Sequence, residues 1–140
     1  MNYLLDTCVV SEIVKRKPAI QVVNWLARIS TDNKFISALT IGEIQKGIDY
    51  FGVDNPRRIR LEEWLKSILR DFADRILPFD ENVAIMWGHQ TGEALREGRP
   101  MALDDTKIAA TALHHGMTLV TRNVRDMAEY GVEIVNTFDE

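Results

Sequence analysis

The side chains best suited to chemistry in this chain are carboxylates that stand just after short apolar runs. Asp6 follows Tyr3-Leu4-Leu5 directly, and Glu43 lies in the helical stretch after Phe35-Ile36-Ser37. Asp104 and Asp105 open a helical stretch that leads to Thr118-Leu119-Val120-Thr121, and Asn123 and Asp126 follow that run. Carboxylates drawn to within about 5 Å of one another repel by roughly 3 kcal/mol per pair at an effective dielectric of 20. Convergence would therefore ask for a cation or a raised pKa. Hard oxygen donors favour Mg²⁺ or Mn²⁺ over zinc. The histidines, His89, His114 and His115, have no zinc-ligand spacing, and Cys8 is the single cysteine. A divalent ion so held would acidify a bound water and neutralise charge on a phosphoryl oxygen. The residue types leave open whether one ion or two would bind.

Each acid also has an ordinary structural use. Asp6 and Asp104 can cap helices, Thr40-Ile41-Gly42-Glu43 fits a capping box, and Asp126 fits a solvated loop charge. Only the joint placement favours chemistry, and the elements decide that placement. Helical stripes are expected at Val9, Val10, Ile13 and Val14, and from near Pro18 through Val22, Val23, Leu26 and Ile29. Others run through Ile41, Ile44, Ile48 and Phe51, and through Leu61, Leu65, Ile68 and Phe72. Asp80 is expected to cap a helix running towards Leu95, and Gly116 to close the one that Asp104-Asp105 opens. Strands are expected at 3–5, 35–37, 75–77, 118–121 and 132–135. Strands joined through helices run parallel, which predicts a three-layer α/β/α sandwich around a parallel sheet of about five strands. In such sheets ligands bind beyond the carboxyl ends of the strands, the edge at which several of Asp6, Glu43, Asp104, Asp105, Asn123 and Asp126 would fall.

The bulk figures narrow the class. A chain of 140 residues with 46% hydrophobic and 27% charged residues is expected to form one domain, 1–140, with a core that needs no disulfide. One cysteine and no leader or membrane-spanning run fit a soluble protein of a reducing, cytoplasmic compartment. A net charge of −4 argues against a general nucleic-acid coat protein, yet leaves room for a metal-loaded site beside local basic groups.

Four segments together resemble the PIN-domain toxins. Leu4-Leu5-Asp6-Thr7-Cys8-Val9-Val10-Ser11-Glu12 is similar to their opening motif, and Ser37-Ala38-Leu39-Thr40-Ile41-Gly42-Glu43-Ile44 to the second. Asp105-Thr106-Lys107-Ile108-Ala109-Ala110-Thr111-Ala112-Leu113 resembles the third, and Leu119-Val120-Thr121-Arg122-Asn123 with Asp126 the fourth. The order is kept over nearly the whole chain. The likeness is to VapC-type toxins of type II toxin–antitoxin pairs, most of all the FitB-like branch. It implies a Mg²⁺- or Mn²⁺-dependent endoribonuclease that forms a homodimer and is silenced by a VapB-type antitoxin. Carried over by motif, Asp6, Glu43 and Asp105 are the metal-binding acids. Asp105 is preferred to Asp104 because the family's acid stands three positions before the Ile108-Ala109-Ala110 run. Cys8 replaces the family's usual Asn, and Asn123 stands where an acid is common, so either Asn123 or Asp126 fills the fourth position. Thr7 is expected to fix the Asp6 carboxylate or the sheet edge.

Arg122 and Arg125 flank this site and are candidates for RNA phosphate contacts. Lys15-Arg16-Lys17 reads first as a solvated basic turn. Ile48, Phe51, Trp64 and Leu65 suit either plain core or a docking face for the antitoxin, Trp25 and Trp87 suit packing, and Cys8 suits a small buried apolar residue. Other functions compete, among them a 5′-nuclease acting on DNA flaps, for which so short a chain shows no inserted arch or extended basic groove. A catalytically inactive PIN-like scaffold would keep the fold without the chemistry. A signalling receiver domain would need an Asp closing the third strand, where Leu77-Pro78 stands instead.

Overall fold

A computed structural model describes residues 1–99 and 103–139, with the side chains of all of these except Leu103, Asp104 and Asp126. The chain order is β1 (Tyr3–Leu5), α1 (Thr7–Ile13), α2 (Ile20–Arg28), β2 (Lys34–Ser37), α3 (Ala38–Asp49), α4 (Pro56–Asp71), β3 (Ile76–Leu77), α5 (Glu81–Arg96), α6 (Leu103–His114), β4 (Thr118–Val120), α7 (Val124–Met127) and β5 (Ile134–Val135). Short 3-10 turns stand at Thr31–Asn33, Ala128–Tyr130 and Thr137–Asp139.

The five strands form one parallel sheet in the order β3-β2-β1-β4-β5. Strand alternation divides its side chains between two cores. Leu5, Ile36 and Val120 face one layer, where they pack with Val9, Val22, Ile44 and Leu65 from α1 to α4. Leu4 and Leu119 face the other, with Ile108, Ala109 and Ala112 of α6 and Met127 of α7. α5 packs outside on α6. The three-layer parallel sandwich is thus as expected from the sequence. The central strands β1 and β4 are short and largely buried, because helices cover both faces and a few apolar residues suffice to cross the core.

Several boundaries depend on residues that local patterns do not show. α3 starts at Ala38, since Ser37 accepts from the Leu39 N–H at 3.0 Å. The expected Thr40–Glu43 capping box is therefore absent: Thr40 is fully buried inside the helix, and Glu43 stands in its second turn. α2 starts at Ile20, not at Pro18, and its cap residue Ala19 has no capping side chain of its own. Glu12 serves instead, with Oε2 accepting the Ala19 N–H at 2.9 Å. Asp80 caps α5 as expected, accepting from the Val83 N–H at 3.0 Å. α6 closes at Gly116, whose φ of 64° is the left-handed conformation that a Schellman ending requires. Met117 N donates to Ala112 O, and Gly116 N to Leu113 O, in that motif's pattern. Arg75 lies before β3 rather than in it. It is buried, and its guanidinium donates to the carbonyls of Thr31, Lys34 and Asp71.

Candidate active site

The strand order reverses beside β1. The chain runs outward through β2 and β3, then returns to lay β4 and β5 on the other side. The crevice between the carboxyl ends of β1 and β4 is therefore the topological switch point, where parallel sheets open a ligand site. Asp6 ends β1 there and Thr121 ends β4. The Asp6 N–H donates to Val120 O at 2.9 Å, which locks the two strand ends together.

Asp6 is 5% exposed. Its Oδ1 accepts the Thr7 N–H at 2.8 Å and its Oδ2 accepts the Thr121 hydroxyl at 2.7 Å. The Cys8 thiol stands 3.6 Å from the same Oδ2. Thr121, with no exposed surface, in turn accepts the Asn123 N–H at 3.0 Å. All these donors are neutral, and among the described residues no Lys, Arg or His pairs with Asp6. A buried carboxylate without a cation is costly. A carboxylate also has about four lone-pair positions, so two short bonds leave acceptor capacity unspent. Burial pushes the Cys8 thiol above its ordinary pKa, and the neighbouring Asp6 charge pushes it the same way.

The other expected acids lie on helices that leave this edge. Glu43 is half-buried in the second turn of α3, just beyond β2, and lines a cavity of about 230 Å³ with Thr7, Ser11 and Trp64. Asp105 is half-buried in the first turn of α6. Thr7 and Thr40 hydroxyls meet at 3.0 Å and pin the start of α1 to α3. The part expected of Thr7 is thus split: its N–H holds Asp6, and its hydroxyl holds the helix that carries Glu43. Among the described residues no three of His, Cys, Asp and Glu are gathered into a tight metal cluster. The donor set still suits a hard divalent ion: carboxylate oxygens, one of them buried without a counter-charge and spanned by neutral donors.

Asn123 is exposed and caps α7 through its backbone, without a side-chain cap bond. The side chains of Asp104 and Asp126 lie outside the described residues. Arg125 is exposed in α7. Arg122 is more constrained than its motif suggests. Its guanidinium stacks on the Phe138 ring at 3.7 Å and approaches Glu12 at 3.9 Å. Glu12 is buried and also paired with Lys15 at 2.9 Å. The Lys15 ammonium, then the Ala19 N–H, hold its carboxyl below the usual carboxylate value. Cys8 is not a plain apolar residue, since its partners are Asp6 and Thr121. Ile48 and Leu65 belong to the core, whereas Phe51 and Trp64 are half-buried and line grooves.

A sequence model of the PIN domain matches residues 3–133. The chain belongs to the PIN-domain family. Toxin FitB of Neisseria gonorrhoeae is 34% identical over 137 residues, which cover 98% of this PIN-domain chain and 99% of that protein. VapC ribonuclease Y4jK of Sinorhizobium fredii is 29% identical over 136 residues, 97% of each. A solved structure of FitAB bound to an IR36 DNA fragment contains a chain 36% identical to this one, with a TM-score of 0.89 over 97% of this chain and 95% of that one. Among the described residues no helix of this PIN-domain chain is long and apolar enough to cross a membrane.

Proposed function

We propose that this PIN-domain chain is a Mg²⁺- or Mn²⁺-dependent endoribonuclease, the toxin of a type II pair, which acts as a homodimer and is silenced by a VapB-type antitoxin. The observation that carries this reading is Asp6: a buried carboxylate at the sheet's switch point, held only by neutral donors. The toxin and ribonuclease names of two relatives that match almost end to end support it.

Asp6, Glu43 and Asp105 would hold the ion, with Asn123 or Asp126 beside them. When bound, the ion supplies an acidified water and neutralises charge on the phosphoryl oxygen. Thr121 and the Thr7 N–H fix the rotamer of Asp6. Thr40 and Thr7 hold α3 against α1, which keeps Glu43 at the same edge. Arg122, steadied by Phe138, and the exposed Arg125 stand beside the site to take RNA phosphates.

The test is cleavage of total cellular RNA by the purified protein with Mg²⁺, Mn²⁺ or chelator, beside Asp6→Asn and Asp105→Asn. Discrete cuts are expected with either metal, none with chelator and none from either variant. Full cleavage by both variants would overturn the assignment of the acids. A folded wild type that cuts nothing under any condition would leave the inactive scaffold as the better reading.

A further inference from the structure

Arg16, Arg57 and Arg60 line a cavity of about 520 Å³ together with Phe51 and Leu61. Arg16 lies in the turn after α1, and Arg57 and Arg60 lie in the first turns of α4, so the fold assembles what the sequence keeps far apart. All three are exposed, and among the described residues none of the three side chains joins an ion pair. Their neighbour Arg58 shows the contrast: it is taken up by Glu62 at 2.9 Å, Asp49 at 3.3 Å and the Phe51 carbonyl. In a chain of net charge −4, three uncompensated guanidiniums around one cavity form a local positive site. Guanidinium forks suit phosphate oxygens in particular.

The position of this cavity points to its ligand. Phe51 and Leu61 also line the cavity that holds Glu43, Thr7 and Trp64, so one trough leads from the candidate active edge to the arginines. From Glu43 the chain follows α3 to Asp49, about 9 Å at ~1.5 Å per residue, and Phe51 stands two residues beyond. That is too far for the phosphate being cut and suits phosphates of neighbouring nucleotides. Half-buried Phe51 and Trp64 supply apolar surface along the way, of the kind on which unpaired bases rest.

We propose that Arg16, Arg57 and Arg60 form a second RNA-backbone subsite, which takes phosphates of nucleotides displaced along the strand from the one cleaved. The inference rests on the nuclease reading and names how its substrate is held. The experiment is equilibrium binding of a single-stranded RNA of roughly a dozen nucleotides, followed by fluorescence anisotropy across a salt series with chelator present. Wild type is compared with the combined Arg16→Gln, Arg57→Gln, Arg60→Gln variant and with the matching Arg→Lys variant. Three lost phosphate contacts should flatten the slope of log K against log salt by about 2 on single strands. Affinity at low salt should fall more than tenfold, and the Lys variant should restore most of the slope. Because the residues are exposed, an unchanged unfolding midpoint should accompany the loss.

An unchanged slope in the Gln variant overturns the subsite, as does a wild type that binds no RNA. Binding without divalent ions separates this inference from the one beneath it. RNA binding that depends on the arginines in a protein that never cuts would uphold the subsite and sink the nuclease. Metal-dependent cutting with an unaltered slope would do the reverse.

Discussion

Asp6 is both a helix cap and the candidate ligand, since one oxygen takes the Thr7 N–H while the other takes the Thr121 hydroxyl. Its sequence position shows an acid after a strand and cannot choose between those uses; the geometry shows the cap, and the ligand role is the proposal. Thr121→Val should expose the arrangement. It removes the donor to Asp6 and the acceptor of the Asn123 N–H, and the unsatisfied groups should cost about 1–3 kcal/mol in denaturant unfolding. Thr121→Ser should restore most of that, and divalent-ion affinity should fall roughly 10- to 100-fold in the Val variant alone. Glu12 gives a prediction of opposite character. Its carboxyl is held below the ordinary 4.5 by Lys15 and the Ala19 N–H. A depressed carboxyl contributes stability that is fully present above its unfolded pKa and is lost as pH falls through the lower folded value. Glu12→Gln should therefore lower the urea midpoint at pH 7, and the gap to wild type should close as pH drops below 4.5. A gap that stays constant to pH 3 would mean that the charge of Glu12 does not matter. The bond from Thr121 to Asp6 and the approach of Arg122 to Glu12 join residues remote along the chain, which local patterns do not report. The acids of the motifs were visible because strand ends and helix starts are local.

The elements themselves were largely legible, because apolar runs and helical stripes report burial directly. Their ends were less so. Ser37 and Thr40 are both hydroxyl residues three apart, and either could open a helix with Glu or Leu behind it. The backbone turn decides for Ser37, which frees Thr40 to meet Thr7 in the interior. α2 starts two residues past Pro18, where the Ala19 N–H is taken by a side chain from another helix. Helix pairing carries the next prediction. α5 is keyed to α6 by the Trp87 indole N–H, which donates to Thr106 Oγ1 at 2.8 Å, beside Asp105. Phe79 and Lys107 complete this contact, the ring at 6.3 Å and the ammonium at 5.6 Å from the Trp87 ring. Trp87→Phe keeps most of the apolar area and loses the bond, so unfolding should ease by about 1 kcal/mol. If α6 thereby loses its register, kcat for RNA cleavage should fall by more than KM rises. A change confined to stability would show that α6 is placed by its core face alone.

The strand order could not be read from the chain. Local patterns give strands and their parallel sense, but which strand lies beside which is set by how both helical layers cover the sheet. That order alone puts β1 at the centre and β4 at its side, and so brings Asp6, Thr121 and Asn123 to one crevice. Both cores meet at these two strands, Leu5 and Val120 in one and Leu4 and Leu119 in the other. An ion bound at Asp6 should consequently stabilise the whole molecule and not a loop, because the site cannot open without parting the central strands. A ligand specific for the folded state at 100 times its Kd adds about 2.7 kcal/mol. For a domain of this size that is a rise in Tm of several degrees. Thermal unfolding with Mg²⁺ or Mn²⁺ should show such a shift in wild type, growing with the logarithm of metal concentration. Asp6→Asn and Asp105→Asn should abolish it, and Asp6→Asn should unfold no more easily than wild type in chelator, since it removes a buried charge and keeps its shape. If both variants keep the full shift, the ion binds elsewhere, and the switch point between β1 and β4 is not where this chain holds its metal.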